Sequence, residues 1–332
     1  MFFPKNLEAK NFLSPFEHQV GGHGKAQFVE WNEEKVLKPK LKANLFSREI
    51  EFYERIQRAG ISGFKVFPKY FGLAWLKFDD ESRTSIYLTT EEESNSFPYL
   101  VLENVTFKFC NPCIIDIKLG TQTYEPSASL EKIEYECSKY PFQKDLGFRL
   151  TGFKLFNLKS REYSTFDKQL CRQLKPEVDL LHGITLAFFN GITFNSKVLL
   201  KLLSKIEGLL RWMEEQEEYN FYSSSVLIVY SGSANHHDGD IIHYDNEKDE
   251  TMKMNTTIES TDEVVDCDVR LIDFGHVQYI SPPLVPKDPG CILGLRTLLS
   301  YLEQVLSLIQ HDPSGIEQRV KLLLSRGNKT VV

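Results

Sequence analysis

Apolar positions along the chain recur with two periods, and each period predicts its own set of elements. PCIIDIKLG, from Pro112 to Gly120, is nearly all apolar through Cys113, Ile114, Ile115, Ile117 and Leu119, which predicts a buried strand. Its two charged residues, Asp116 and Lys118, stand two apart and therefore on one face. YLVLENV (Tyr99–Val105), GFRLTGFKLFN, SSSVLIVYSG and DVRLIDFGH read as four more strands, and GLAWLKF and TSIYLTT as a further two. Helical spacing marks Ser47 to Ala59 through Ile50, Tyr53 and Ile56, and Lys197 to Gln216 through Val198, Leu202, Ile206, Leu209 and Met213. A long helix from Ile292 to Gln310 and a shorter one close the chain.

Between these, EPSASLEKIEYECSKYP predicts a short helix over about 127–140, capped by Ser127 or Ser129 and stopped by Pro141. Lys132, Tyr135, Glu136 and Lys139 fall on one polar face of it. Leu130, Ile133 and Cys137 form the opposite stripe and are expected to pack inward. Residues 18–38 read as a Gly-rich turn between strands, and residues 232–266 as an acidic insertion without the apolar content of a core. Strands with one helix come first and a larger mixed half follows. This order predicts an α+β, two-lobed layout, with lobes of residues 1–106 and 107–332 meeting near Thr106–Asn111, and a ligand cleft between lobes.

The 332 residues suit two lobes better than one core. The net charge of −7 argues against a broad nucleic-acid-binding face while leaving room for a local basic pocket. Six scattered cysteines point to reduced thiols in a cytoplasmic or nuclear setting. No run free of charges reaches the roughly 20 residues of a membrane span, and the N-terminus lacks a signal-peptide layout, so no stable membrane anchor is expected.

Four features then suggest chemistry. Lys38 follows the Gly-rich turn, Glu103 ends a strand, Asp116 and Lys118 share a strand face, and Asp273 and His276 stand in LIDFGH. Phosphoryl transfer from a nucleotide needs such parts: a turn over phosphates, lysines to neutralise their oxygens, and a carboxylate to hold Mg²⁺. Two lysines on the helix after the strand suit a small, multiply anionic ligand. Other readings fare worse. Cys110 and Cys113 have redox spacing but run into a strand, and there is no second such pair for zinc. Gly21–Lys25 lacks the phosphate-loop spacing. His236–Asp245 has metal-ligand residue types but lies in the acidic insertion, and Asn255 heads a chance sequon there. The stripe from Val198 to Met213 is too short for a coiled coil. Asp273-Phe-Gly spells a protein-kinase triplet, but the His-Arg-Asp loop is missing.

PCIIDIKLG resembles the Pro-x-x-x-Asp-x-Lys-x-Gly signature of the inositol polyphosphate kinase family. FYSSSVLIVYSG, VRLIDFGH (with Gly275 where alanine is usual) and PGCILGLRTLLSYL resemble that family's later motifs in the same order, from about His18 to Gln310. The resemblance implies a protein-kinase-like, ATP-grasp-related fold acting with ATP and Mg²⁺ on an inositol polyphosphate. It implies that Lys38 meets the nucleotide phosphates, and that Glu103 and Val105 are hinge residues reading adenine. Asp116 would meet the ribose and the substrate side, Lys118 the transferred phosphate, Asp273 the metal and His276 the accepting hydroxyl. Glu49 is the candidate partner of Lys38.

The segment between Gly120 and LGFRLTG is short, unlike the trisphosphate 3-kinase branch. YEPSASLEKIEYECSKYP resembles the multikinase branch, in which the counterparts of Lys132 and Lys139 contact substrate phosphates. Tyr135 and Glu136 stand where glutamines are frequent there. Hexakisphosphate kinase is the alternative branch. A non-catalytic scaffold is the reading from another class, disfavoured because Asp116, Lys118 and Asp273 are all present.

Overall fold

Two antiparallel six-stranded sheets divide the chain at Asn104–Asn111. The computed structural model describes residues 13–21, 27–60, 66–78, 86–89, 96–176, 179–233, 267–279 and 288–331. Most of the acidic insertion (234–266), with His236–Asp245 and Asn255, and most of the Gly-rich turn (22–26) therefore lie outside the described residues.

The first sheet contains β1 (Ser14–Pro15), β2 (Val29–Asn32), β3 (Lys35–Pro39), β4 (Tyr70–Phe78), β5 (Ile86–Thr89) and β6 (Ser96–Glu103), in the order β1-β2-β3-β6-β4-β5. Helix α1 (Ala43–Arg58) interrupts it and buries Phe46, Phe52, Tyr53 and Ile56 at helical spacing, with Glu49 on the same stripe.

The second sheet contains β7 (Pro112–Leu119), β8 (Phe148–Asn157), β9 (Glu162–Phe166), β11 (Ser225–Ser231), β12 (Cys267–Ile272) and β14 (Asn328–Val331), in the order β12-β11-β7-β8-β9-β14. Strand β7 is central and buried on both faces, which explains its nearly continuous apolar run. A two-stranded ribbon, β10 (Tyr219–Asn220) with β13 (Gln278–Tyr279), lies apart.

Between β7 and β9 the chain forms α2 (Leu130–Ser138) and α3 (Gln143–Leu146). Helices α4 (Lys168–Arg172), α5 (Leu180–Leu186), α6 (Ser196–Glu215), α7 (Pro289–His311) and α8 (Pro313–Leu324) cover the second sheet. In α6, Val198, Leu202, Ile206, Leu209 and Met213 are all buried, as the spacing predicts. In α7, Asp288 caps the start by accepting from the Cys291 amide at 2.9 Å, and Pro289 occupies the first turn. Against the expectation that no apolar run is long enough, α7 would by length and composition pass for a membrane span, with Arg296 and Glu303 within it. In the fold its Ile292, Leu295, Leu298, Leu302 and Val305 are buried, and the helix packs against α5, α6, α8 and β8.

The main core runs through both sheets. Phe274 joins them: it is fully buried and stacks on Phe52 of α1 with ring centroids 4.1 Å apart. Burying such a ring contributes roughly 1.5–3 kcal/mol, and it ties the end of β12 to the first sheet.

Candidate active site

The site is built where β3, β6, β7 and β12 converge. A cleft lies between the sheets, with Lys38, Glu103, Val105, Asp116 and Asp273 in its wall. Strand β3 carries Lys38 toward the second sheet. Its Nζ lies 2.7 Å from Glu49 Oε1 and 2.7 Å from Asp273 Oδ1, so the expected pairing with Glu49 is present. Burial disfavours the Lys38 ammonium, but the Asp273 and Glu49 carboxylates outweigh it and hold the group above its usual range.

Asp273 follows β12 directly and adopts φ +67°, a left-handed conformation uncommon outside glycine. Its neighbours fix that turn: the Ser224 hydroxyl donates to the Asp273 carbonyl at 2.9 Å, and Phe274 is locked in the core. Non-glycine residues held this way cluster at functional sites. Lys118 Nζ donates to the Ser223 carbonyl at 2.7 Å and lies 3.7 Å from Asp273 Oδ2. Burial alone would raise the Asp273 carboxyl; Lys38 and then Lys118 reverse this and hold it well below the usual carboxylate range. Its side chain nevertheless keeps 38% of its surface open. An ionised, accessible carboxylate between two lysines is a donor set that fits Mg²⁺, which takes one or two carboxylates together with phosphate oxygens. Among the described residues no group of three or more His, Cys, Asp or Glu stands together as a metal cage.

Asp116 sits on the same face of β7 as Lys118, opposite Leu227 of β11 and Gly152 of β8. Two glycines crowd it. A Cβ on Gly21, which has φ +73°, would stand 2.4 Å from Asp116 Oδ2, and one on Gly152 would stand 3.1 Å from the Gly21 amide nitrogen. Gly21 therefore lies directly against this carboxylate. Asp116 Oδ1 is buried with no hydrogen-bond partner among the described residues, and so is Ser225 Oγ beside Lys118 in the register. Burial raises the Asp116 carboxyl, Lys118 opposes and Asp273 adds to the rise. Asp116, in the cleft wall, is a polar group with room to serve a polar ligand.

Glu103 and Val105 stand where the chain passes from the first sheet to the second. The Glu103 amide donates to the Lys69 carbonyl at 2.9 Å, and its carboxylate accepts from the Lys69 amide at 3.0 Å. His276 is held away from the Lys38 cluster: its Nδ1 lies 2.7 Å from Glu125 Oε1, which also takes Arg48 Nη1 at 2.6 Å. Glu125 and Arg48 were not among the residues expected here. The acidic residue two before Ser127 was a readable signal, but the arginine arrives from α1 by tertiary packing.

Helix α2 corrects one expectation. Ser129 is the cap, accepting from the Lys132 amide at 3.3 Å. The apolar stripe does not pack inward: Leu130 is 78% exposed, Cys137 is exposed and Ile133 is half-buried. Glu136, from the polar face, is the buried residue. It draws that face inward because Lys132 Nζ and Lys139 Nζ both lie 2.7 Å from its Oε1, while the Thr123 hydroxyl donates to Oε2 at 3.1 Å. Lys132 and Lys139 thus converge as expected, but on a carboxylate of their own helix. Arg149 of β8, absent from the expected set, is buried nearby and pairs across the sheet with Lys118.

Comparison with known proteins supplies the lineage. The family model described as inositol polyphosphate kinase matches residues 99–303, more than half of the chain. The inositol polyphosphate multikinase of Rattus norvegicus is 34% identical over 230 residues, covering 66% of this chain and 54% of the relative. Inositol hexakisphosphate kinase 1 of the same organism is 31% identical over 225 residues, covering 63% and 52%. The chain thus spans about half the length of the curated relatives it matches. Among solved structures, inositol phosphate multikinase Ipk2 from S. cerevisiae, in complex with ADP and Mn²⁺, aligns with a TM-score of 0.57 and 25% identity, over 82% of this chain and 99% of that one. A second multikinase structure aligns with a TM-score of 0.53 at 20% identity and speaks for the fold alone. The fold is therefore the two-lobed α+β fold of these kinases, and the chain belongs to the inositol polyphosphate kinase family.

Proposed function

We propose that this protein is an ATP- and Mg²⁺-dependent kinase that phosphorylates hydroxyls of soluble inositol polyphosphates, taking inositol 1,4,5-trisphosphate to tetrakis- and pentakisphosphate. The observation that carries the reading is the Asp273 carboxylate held between Lys38 and Lys118 at the cleft wall. The nucleotide lies between the sheets, with Lys38 on its phosphates, Glu103 and Val105 along the adenine, and Asp116 orienting the ribose and the acceptor. Asp273 would hold the metal, whose chemistry there would be to neutralise charge on the phosphates. Lys118 stabilises charge developing at the transferred group as an inositol hydroxyl attacks in line. His276 stands near the accepting hydroxyl, and Lys132 and Lys139 hold acceptor phosphates.

Residues 1–106 act as the nucleotide lobe and residues 107–332 as the acceptor lobe, a division supported by sheets that end at Glu103 and restart at Pro112. The six scattered cysteines, none in a disulfide, support a reducing cytoplasmic or nuclear setting. The relatives' names favour the multikinase branch at 34% identity over the hexakisphosphate kinases at 31%.

The test is a product profile. The protein is incubated with Mg²⁺-ATP and either inositol trisphosphate or inositol hexakisphosphate, and products are resolved by anion exchange. Tetrakis- and pentakisphosphate from the trisphosphate is the expected result. A pyrophosphate product from the hexakisphosphate would move the chain to the other branch. Turnover of neither would overturn the kinase reading in favour of a scaffold.

A further inference from the structure

The basic cluster around α2 carries an unusual charge arrangement. Three cations gather near Glu136: Lys132 and Lys139 on α2, and Arg149 on β8. Both lysines share a single oxygen of Glu136, whose side chain is only 7% exposed. Burial resists its ionisation, but the two lysines outweigh that and lower its carboxyl to about 2, so it remains an anion throughout the neutral range. Arg149 differs. It is 7% exposed, its Nη1 is buried without a hydrogen-bond partner, and no ion pair reaches it among the described residues. It feels Glu136 and Asp116 only through space. A buried guanidinium without a carboxylate is costly unless an anion visits it, and this one lies in register with Lys118.

We propose that Glu136 sets the charge preference of this subsite. Its carboxylate is an internal counter-ion that occupies Lys132 and Lys139, leaving Arg149 as the unpaired cation, so the subsite favours acceptors with few phosphates over fully phosphorylated ones. The inference rests on the acceptor reading above. A crowded acceptor has to place a phosphate beside a fixed carboxylate, which repels it, whereas a sparsely phosphorylated one can present a hydroxyl there and a phosphate to Arg149. Glu136 touches no reacting atom; it acts through the lysines it holds.

The test is calorimetric titration of the full chain with inositol trisphosphate and with inositol hexakisphosphate, for the wild type and Glu136→Gln. The amide keeps the size of the side chain and an oxygen for Thr123 while removing one negative charge. Glu136→Ala serves if the amide variant fails to fold, and ATP binding with thermal melting checks folding in each case. The expected result is hexakisphosphate binding strengthened on the order of tenfold more than trisphosphate binding, with steeper salt dependence, as one uncovered charge implies. A preference ratio unchanged within about twofold, or equal weakening of both ligands as a merely structural residue would give, overturns the inference. Turnover is not needed for this readout. A wild type that binds both compounds but transfers no phosphate sinks the kinase reading while the ratio still decides the role of Glu136. Failure of every form to bind either compound sinks both.

Discussion

Two charge clusters solve the same electrostatic problem differently. At the end proposed for the nucleotide, Lys38, Lys118, Glu49 and Asp273 come from four separate elements, and the pairing is distributed: Lys38 bridges two carboxylates and Asp273 faces two lysines. At the end proposed for the acceptor, one carboxylate on a nine-residue helix collects a lysine of its own helix and the lysine that caps it, and the arginine beside them goes without. The first arrangement is fixed by strands buried on both sides and by the Phe274 anchor. The second rests on a surface helix whose apolar residues point outward. A constellation assembled from distant elements tolerates little change, whereas a local one can be retuned by single substitutions.

The largest expected effect breaks the nucleotide end. Asp273→Asn removes the charge that Lys38 and Lys118 share, and Lys118→Ala removes a cation beside the transferred group. Each should lower kcat by at least about a hundredfold, the scale of a lost electrostatic contact in a transition state, with little change in the acceptor KM. Steady-state kinetics with ATP and inositol trisphosphate would check this. Near-normal turnover in both variants would remove these residues from the chemistry.

At the acceptor end smaller and graded effects are expected. Lys139 has 14% of its side chain exposed and Lys132 has 48%. A buried cation interacts more strongly with an anion than a solvated one. Lys139→Met should therefore raise the acceptor KM by roughly tenfold and Lys132→Met by less, both without moving the KM for ATP. The reverse order would mean that Lys132, not Lys139, receives the phosphate.

The two ends also differ in acid. Glu136 is lowered in the folded chain, so its ion pairs stabilise fully above its ordinary value near 4.5, and that stabilisation is lost as pH falls toward about 2. His18, at the Gly-rich side, is pushed down to about 4, chiefly by burial and then by Lys154. The unfolded chain takes up that proton first, so His18 destabilises the fold as pH falls from 6.5 to about 4. Melting curves of the wild type, Glu136→Gln and His18→Asn should separate the windows. The His18 variant should gain on the wild type as pH falls from 6.5 to about 4 and keep that advantage below it, and the wild type should fall toward the Glu136 variant as pH drops from about 4.5 to 2. Parallel curves throughout would place neither group in the acid response.

Much of the nucleotide end was legible in the sequence because strands advertise themselves. The run around Asp116 and Lys118 is so apolar that two charges two residues apart mark a candidate site, and spacing alone puts them on one face. Lys38 with Glu49 and Asp273 needed the family resemblance, since no local pattern joins positions 38, 49 and 273. Arg149 was not legible. It looks like one polar residue in an alternating strand, and only the β7–β8 register, shifted by a bulge after Asp116, sets it opposite Lys118. Glu125 was readable but its partner was not: Arg48 comes from α1, 77 residues away.

The orientation of α2 is where pattern reading failed, and the smallest expected effect tests why. Amphipathicity predicts that the side with leucine, isoleucine and cysteine faces the core, because burying a leucine side chain stabilises by roughly 1.5–3 kcal/mol. Here that gain competes with a carboxylate that neutralises two lysines and accepts from Thr123. Facing the stripe inward would carry Glu136 away from Thr123 into solvent, where ion pairs on a helix are worth only a few tenths of a kcal/mol. The polar contacts win, and Leu130 is left 78% exposed. Leu130→Ser should then change stability by no more than about 0.5 kcal/mol, read as a nearly unchanged denaturation midpoint, with the acceptor KM also unmoved. A loss of about 2–5 kcal/mol, the cost of truncating a core leucine, would mean that the stripe packs against something in solution and that the polar face, with Lys132 and Lys139, points away from the cleft. The difference between those two numbers is large enough that one urea titration separates an acceptor site built on α2 from a helix that merely covers the sheet.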